Sequence, residues 1–163
     1  MEIKDLEKER SQCAYRYVFS VWNDYLEAKK EIEEKNIDCK DKNLSNSNKE
    51  LCNNLQNKFN IADNYKSYVK KIPMMILNNG LGATFAFIYS KKQKNEAYGL
   101  IYTQVDEWLQ ESYINKPKNS DLIKWIINQN SQEYQAITNE VLAFLGWLKR
   151  FADGMIEGDE NGA

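Results

Sequence analysis

Lys70-Lys71, Lys91-Lys92 and Lys149-Arg150 are pairs of adjacent cations, and phosphate binding is the chemistry such pairs can do. The chain offers little else. It contains no histidine, which removes the commonest general base and the usual partner of a Ser or Cys nucleophile. Its three cysteines, Cys13, Cys39 and Cys52, form no Cys-x-x-Cys pair, and a zinc site would need thiolates and carboxylates alone. They read as reduced, structural thiols of a cytoplasmic protein. Gly80-Leu81-Gly82 lacks the Lys-Ser/Thr of a phosphate-binding loop. The Asp and Glu residues are scattered along amphipathic segments, where they belong to solvated faces. No catalytic, metal or cofactor site is expected, and composition argues against an enzyme. A hydrolase working through carboxylates would need at least two inward acids facing each other across helices.

Charge is close to balanced, with 22 Lys and Arg against 24 Asp and Glu. Three of the acids, Glu157, Asp159 and Glu160, lie in the last seven residues and leave 21 for the body, a net charge of +1. Such a body permits phosphate binding on one face without demanding it.

The elements that must position these cations are helical. Only two prolines, Pro73 and Pro117, interrupt 163 residues, and strand patterns bounded by turn dipeptides are absent. From Ile72 to Tyr89 there is no charge at all, and from Leu81 to Tyr89 every face is apolar or small except at Thr84. A segment apolar all round is buried by neighbours on several sides. Residues 79–92 are therefore expected to be the central helix. Pro73 opens a short helix before it, and Asn78-Asn79-Gly80 makes the joint. The run is too interrupted by Pro73, Asn78, Asn79 and Thr84 to span a membrane.

Around that centre, residues 3–35 carry an apolar stripe of Ala14, Tyr17, Val21, Tyr25, Ala28 and Ile32 at helical spacing. Residues 36–47 lose the period and form a flexible polar loop. The stripe returns from 47 or 48 to about 71. Asn95 caps a helix over 96–112 with Ile101, Val105, Trp108 and Leu109 inward, and Ser120 caps a shorter one over 121–129. Asn130 and Glu133 have capping-box spacing and open the last helix, 131–156. On it Tyr134, Ile137, Val141, Phe144, Leu148, Phe151 and Met155 step by three and four. Lys149 and Arg150 then point about 100° and 200° away from Leu148, outward beside an aromatic. They either clamp a phosphate or form a solvated helix end, where cations are favourable in any case. Trp108, Trp125 and Trp147 could stack bases, as the rings of single-strand binders do, but they fall on helical stripes and read as core. The fold class is all-α: one domain over 1–156, a compact bundle of six or seven helices around the apolar helix, followed by an acidic, disordered tail over 157–163.

Spaced blocks give the chain a likeness to one family. Tyr68-Val69-Lys70-Lys71-Ile72-Pro73 is followed by Ile76-Leu77, Asn79-Gly80-Leu81-Gly82, Thr84, Ala86-Phe87 and Ser90-Lys91. Tyr98-Gly99-Leu100, Tyr102, Trp108-Leu109 and Asp121-Leu122 come next in order. Then follow Tyr134, Thr138, Glu140-Val141-Leu142-Ala143-Phe144-Leu145 and Trp147-Leu148-Lys149-Arg150-Phe151-Ala152, with Glu9-Arg10 and Ala14 as a weaker block at the start. Over nearly the whole chain, apart from 36–60 and the tail, this resembles the small all-helical fifth subunit of the type III-B CRISPR Cmr complex, an RNA-guided effector.

The resemblance implies a subunit without catalytic activity of its own. Several copies would stack as an inner filament beside the subunits holding the guide RNA, with a basic surface along the target RNA. Its partners would be the other effector subunits, further copies of itself and the guide–target duplex, with no membrane and no small-molecule substrate. Carried over by position, Lys71, Lys91, Lys149 and Arg150, and Arg10 in the weaker block, become the candidate RNA contacts. Lys70 and Arg16 join them by proximity and helix facing. Such contacts go to phosphates and read no sequence. The alternative is a subunit that bridges proteins only, with lysines that merely solubilise.

Overall fold

The computed structural model describes residues 3–157, and the expected tail from 158 onward lies outside them. Among the described residues the chain forms six helices: α1 (Ile3–Glu34), α2 (Asn46–Asn79), α3 (Leu81–Lys91), α4 (Glu96–Glu111), α5 (Leu122–Ile127) and α6 (Ser131–Met155). None is long and apolar enough to cross a membrane.

α6 sets the arrangement. Ile137, Val141, Phe144 and Leu148 are buried along one stripe, with Tyr134, Phe151 and Met155 partly covered at its ends. α1 and α2 close over that stripe as a long hairpin. α1 runs alongside α6, so that Arg10 meets Glu140 and Tyr15 meets Phe151. α2 runs against it, so that Lys66 donates to the Ile156 carbonyl and Lys70 reaches Asp153. α4 fills the remaining side of the core with Ile101, Val105, Trp108 and Leu109, all buried as the spacing requires. Asn95 caps α4 by accepting from the Ala97 and Tyr98 amides, and Asn130 caps α6 by accepting from Glu133.

Four expectations are corrected. Pro73 opens no new helix, because α2 continues through it to Asn79. A proline inside a helix costs about 3 kcal/mol. Val69, Ile72 and Ile76 are all buried around it, each contributing about 1.5–3 kcal/mol, and together they outweigh the break. The break comes instead at Gly80, with φ +88° and ψ 161°, backbone that is essentially confined to glycine. Tyr134 braces the joint from α6, its hydroxyl accepting from the Gly82 amide at 2.8 Å.

Nor is α3 central. It packs on α2, α4 and α5 and buries Leu81, Thr84, Phe85 and Ile88, while Ala83, Ala86, Phe87 and Tyr89 remain exposed. Uniform apolarity fixed no buried direction. The cap of α5 is Asp121, which accepts from Ile123, and Ser120 instead donates to the Pro117 carbonyl. α5 is accordingly shorter than its expected 121–129.

The thiols form the fourth correction. Cys13 is free and buried, but Cys39 and Cys52 are joined as a disulfide. The return of the α1–α2 hairpin brings their Cα atoms to 5.7 Å, a separation that a disulfide spans. The polar 35–45 connection is thereby tied to the first turns of α2. Its other ties are local: Asp38 accepts from Lys40, Asp41 from Asn43, and Ser45 caps α2.

Two outcomes test this account. Gly80→Ala should destabilise the fold by about 1–3 kcal/mol, read as a lower denaturation midpoint at unchanged slope. Alkylation of the unreduced, denatured protein should label one cysteine of three, and Cys52→Ser, which opens a bridge spanning 13 residues, should cost about 3 kcal/mol.

Candidate nucleic-acid interface

The candidate cations divide into those the fold uses and those it leaves to solvent. Arg10 is used. Its Nε and Nη2 donate to the two carboxylate oxygens of Glu140, each at 2.8 Å, and the Trp108 indole N–H donates to the same carboxylate at 2.8 Å. Glu140 is 2% exposed. The hydrogen bond to this carboxylate, set against partial burial, raises the Arg10 pKa above its ordinary value. Arg10 is therefore removed from the set of candidate RNA contacts. The exposed Glu7 one turn before it gave no sign of this, because the partner of Arg10 lies 130 residues on.

Lys70 pairs with Asp153 at 2.7 Å, both side chains remaining some two-fifths exposed. Such a pair is worth at most about 1 kcal/mol and leaves Lys70 half neutralised. Lys149 lies one turn before Asp153 on the same side of α6. Lys71, next along α2, turns about 100° away towards α3.

There a chain of rings joins three helices. Tyr68 of α2 stacks on Tyr98 of α4 at 3.9 Å, and Phe87 of α3 meets Tyr98 edge-on at 5.6 Å. Lys91 lies 5.8 Å from the Phe87 ring, and Lys71 sits one turn beyond Tyr68. Lys71 and Lys91 thus flank the same aromatic seam. Arg150 leans over Trp147, its guanidinium carbon 5.2 Å from the ring. Arg16 is exposed on α1 and lines a surface hollow of about 900 Å³ with Tyr15, Phe151, Glu9 and Glu111. Among the described residues, no ion pair includes Lys71, Lys91, Lys149, Arg150 or Arg16.

Of the tryptophans read as core, Trp108 is buried, while Trp125 and Trp147 are only partly covered. Two lysines behave in ways the sequence reading missed. Lys92 stands over the rings of Tyr89 and Tyr102, at 4.3 and 4.5 Å. The Tyr89–Lys92 spacing of three, one helical turn, could have suggested it. Lys116 is buried completely, its ammonium 2.8 Å from Asp106 and bonded to the Pro117 and Ser120 carbonyls. No local signal marks a lysine in a Lys-Pro loop as interior. Near it the Tyr102 hydroxyl donates to Asp121, which holds that carboxyl below its ordinary pKa.

What the arrangement can do chemically is hold anions. Glu140 is the one buried acid among the described residues, and its oxygens are spent on Arg10 and Trp108. Arg10→Ala should strand that charge and destabilise the fold by about 3–5 kcal/mol, measured by denaturant titration. Replacing both members by residues of similar volume, as in Arg10→Met with Glu140→Leu, should recover most of the loss. The fold and this distribution of charge accompany a match to a known family: a family model described as CRISPR-associated protein (Cas_Cmr5) covers residues 48–155, from the first turn of α2 to the last of α6. The chain belongs to that family and is a Cmr5 subunit of the type III-B CRISPR Cmr complex.

Proposed function

We propose that the chain acts in the cytoplasm as a non-catalytic subunit that stacks with further copies of itself in the Cmr complex. In antiviral defence it would contact the phosphates of target RNA paired to the guide. The observation that carries this reading is the set of exposed cations outside any intramolecular ion pair. Lys71 and Lys91 flank one seam, and Lys149 and Arg150 stand on the outer side of α6. Lys70 and Arg16 assist at the margins, the first shared with Asp153 and the second facing Glu9 and Glu111 across its hollow. A solvated helix end needs no more than one such cation in its last turn, and four on neighbouring helices favour the anionic partner.

A second reading, a subunit that only bridges proteins, draws on the exposed apolar side chains of α2, α3 and α5. Met74, Leu77, Phe87 and Ile127 stand well out of the core, Leu77 at 66%. An apolar surface of this kind suits a protein neighbour. The two readings describe different faces and are separable.

The test reverses charge at Lys71, Lys91, Lys149 and Arg150 in the assembled complex. RNA affinity should fall while assembly persists, and the slope of log affinity against log salt should flatten by about 3, at about 0.7–0.9 per lost phosphate contact. Unchanged affinity and slope would leave the bridging reading in place.

A further inference from the structure

Beside these cations lies an aromatic surface that stands partly outside the core. Tyr15 and Phe19 sit one turn apart on α1, each 47% exposed, with ring planes 16° apart and centroids at 6.1 Å. Tyr15 meets Phe151 of α6 edge-on at 5.5 Å, and Phe151 stacks on Trp147 at 5.7 Å. Arg150 then covers Trp147. Four rings and a guanidinium form one continuous surface across two helices.

Tyr15 and Phe19 are not needed to close the core, against which Trp147 and Phe151 are partly packed. Ala14 and Val18, each one residue earlier on α1, are fully buried, and a step of 100° carries Tyr15 and Phe19 to the flank. We propose that this surface stacks unpaired nucleobases of RNA, with Arg150 and Lys149 holding the adjoining phosphates. The proposal rests on the RNA-contact reading above and adds to it the state of the RNA, single-stranded where it crosses α1 and α6.

Charge selects this occupant over a protein. The core of a protein interface is depleted in lysine, whereas here Lys149 stands exposed on the helix next to the guanidinium that lies on one ring. Aromatic platforms set in a basic groove take single strands, because every base has a π-face and needs no matching hydrogen bonds. Duplex bases are already stacked on one another and offer no face. Glu9 and Glu111 line one hollow with Tyr15, Arg16 and Phe151, and Lys149 and Arg150 lie outside that lining, so the strand's phosphates fall on the Arg150 side.

The experiment loads the complex containing this chain with RNA carrying 4-thiouridine at unpaired or at paired positions, irradiates it, and maps adducts by mass spectrometry. Unpaired positions should give adducts on Tyr15, Phe19 or Trp147. Tyr15→Ala with Phe19→Ala should lower their yield about fivefold or more with the complex intact, following the usual loss per stacked base. Tyr15→Trp with Phe19→Trp should keep it. Adducts confined to the segments around Lys71 and Lys91 would overturn the stacking proposal while sparing the phosphate reading. Absence of adducts anywhere on the chain would remove both. Loss of the alanine variant from the complex would show the rings covered by a protein partner, which also overturns the proposal.

Discussion

One buried carboxylate sets the relation of three helices. Taking Glu140 out of water costs several kcal/mol unless its charge is met and its lone pairs are filled. Arg10 comes from α1 and Trp108 from α4 to do both, while Glu140 itself sits on α6. Because the contact is two-pronged, it fixes rotation as well as position. With Arg10 facing α6, Ala14 and Val18 follow one and two turns later on the buried side. Tyr17 then falls against Phe144, which also stacks on Trp108, and its hydroxyl bonds Glu107 of α4. Burial and that bond push the Tyr17 phenol well above its ordinary pKa. The same rotation leaves Tyr15 and Phe19 on the outer flank. A single polar contact thus decides both what is hidden and what is offered.

Cations in this chain therefore cannot be read as a class. Arg10 and Lys116 are interior and structural, each satisfied by a carboxylate from another element and, for Lys116, by loop carbonyls as well. Pairs adjacent in sequence are divided by the helical step. Lys70 turns to Asp153 and Lys71 to the aromatic seam. Lys91 lies by Phe87, while Lys92 stands over Tyr89 and Tyr102. Twinned lysines in a helix are two separate placements, and only one of each twin is left to solvent without an opposing carboxylate or a pair of rings.

The legible part of the fold was the part encoded locally. The stripe on α6, the Asn95 and Asn130 caps and the glycine joint at Gly80 each depend on residues within one or two turns, and each lies where the spacing puts it. What was illegible depended on distant chain. Pro73 looks like a helix start until the buried residues on both sides are counted. Cys39 and Cys52 look unrelated until the hairpin returns. For α3, composition gave the amount of apolar surface but not its direction, since Ala83 and Ala86 contribute little area and Phe87 and Tyr89 remain exposed at the edge of the core. Among the candidate contacts, Lys71, Lys91, Lys149 and Arg150 were legible as exposed cations, but Arg10 was not legible as interior. Its partner is on another helix, and an arginine on an amphipathic stripe edge looks the same whether it faces water or a buried acid.

The span matched by the family model starts at residue 48 and leaves out all of α1. That boundary is one of resemblance, not of folding. A fragment beginning there would retain Glu140 and lose the guanidinium that neutralises it, and it would uncover the groove that Ala14 and Val18 fill. The amino-terminal helix delivers one positive charge to Glu140 and the small apolar residues Ala14 and Val18 at a fixed register. The family model begins at α2, while the charge that neutralises Glu140 and the apolar residues that pack beside it come from α1.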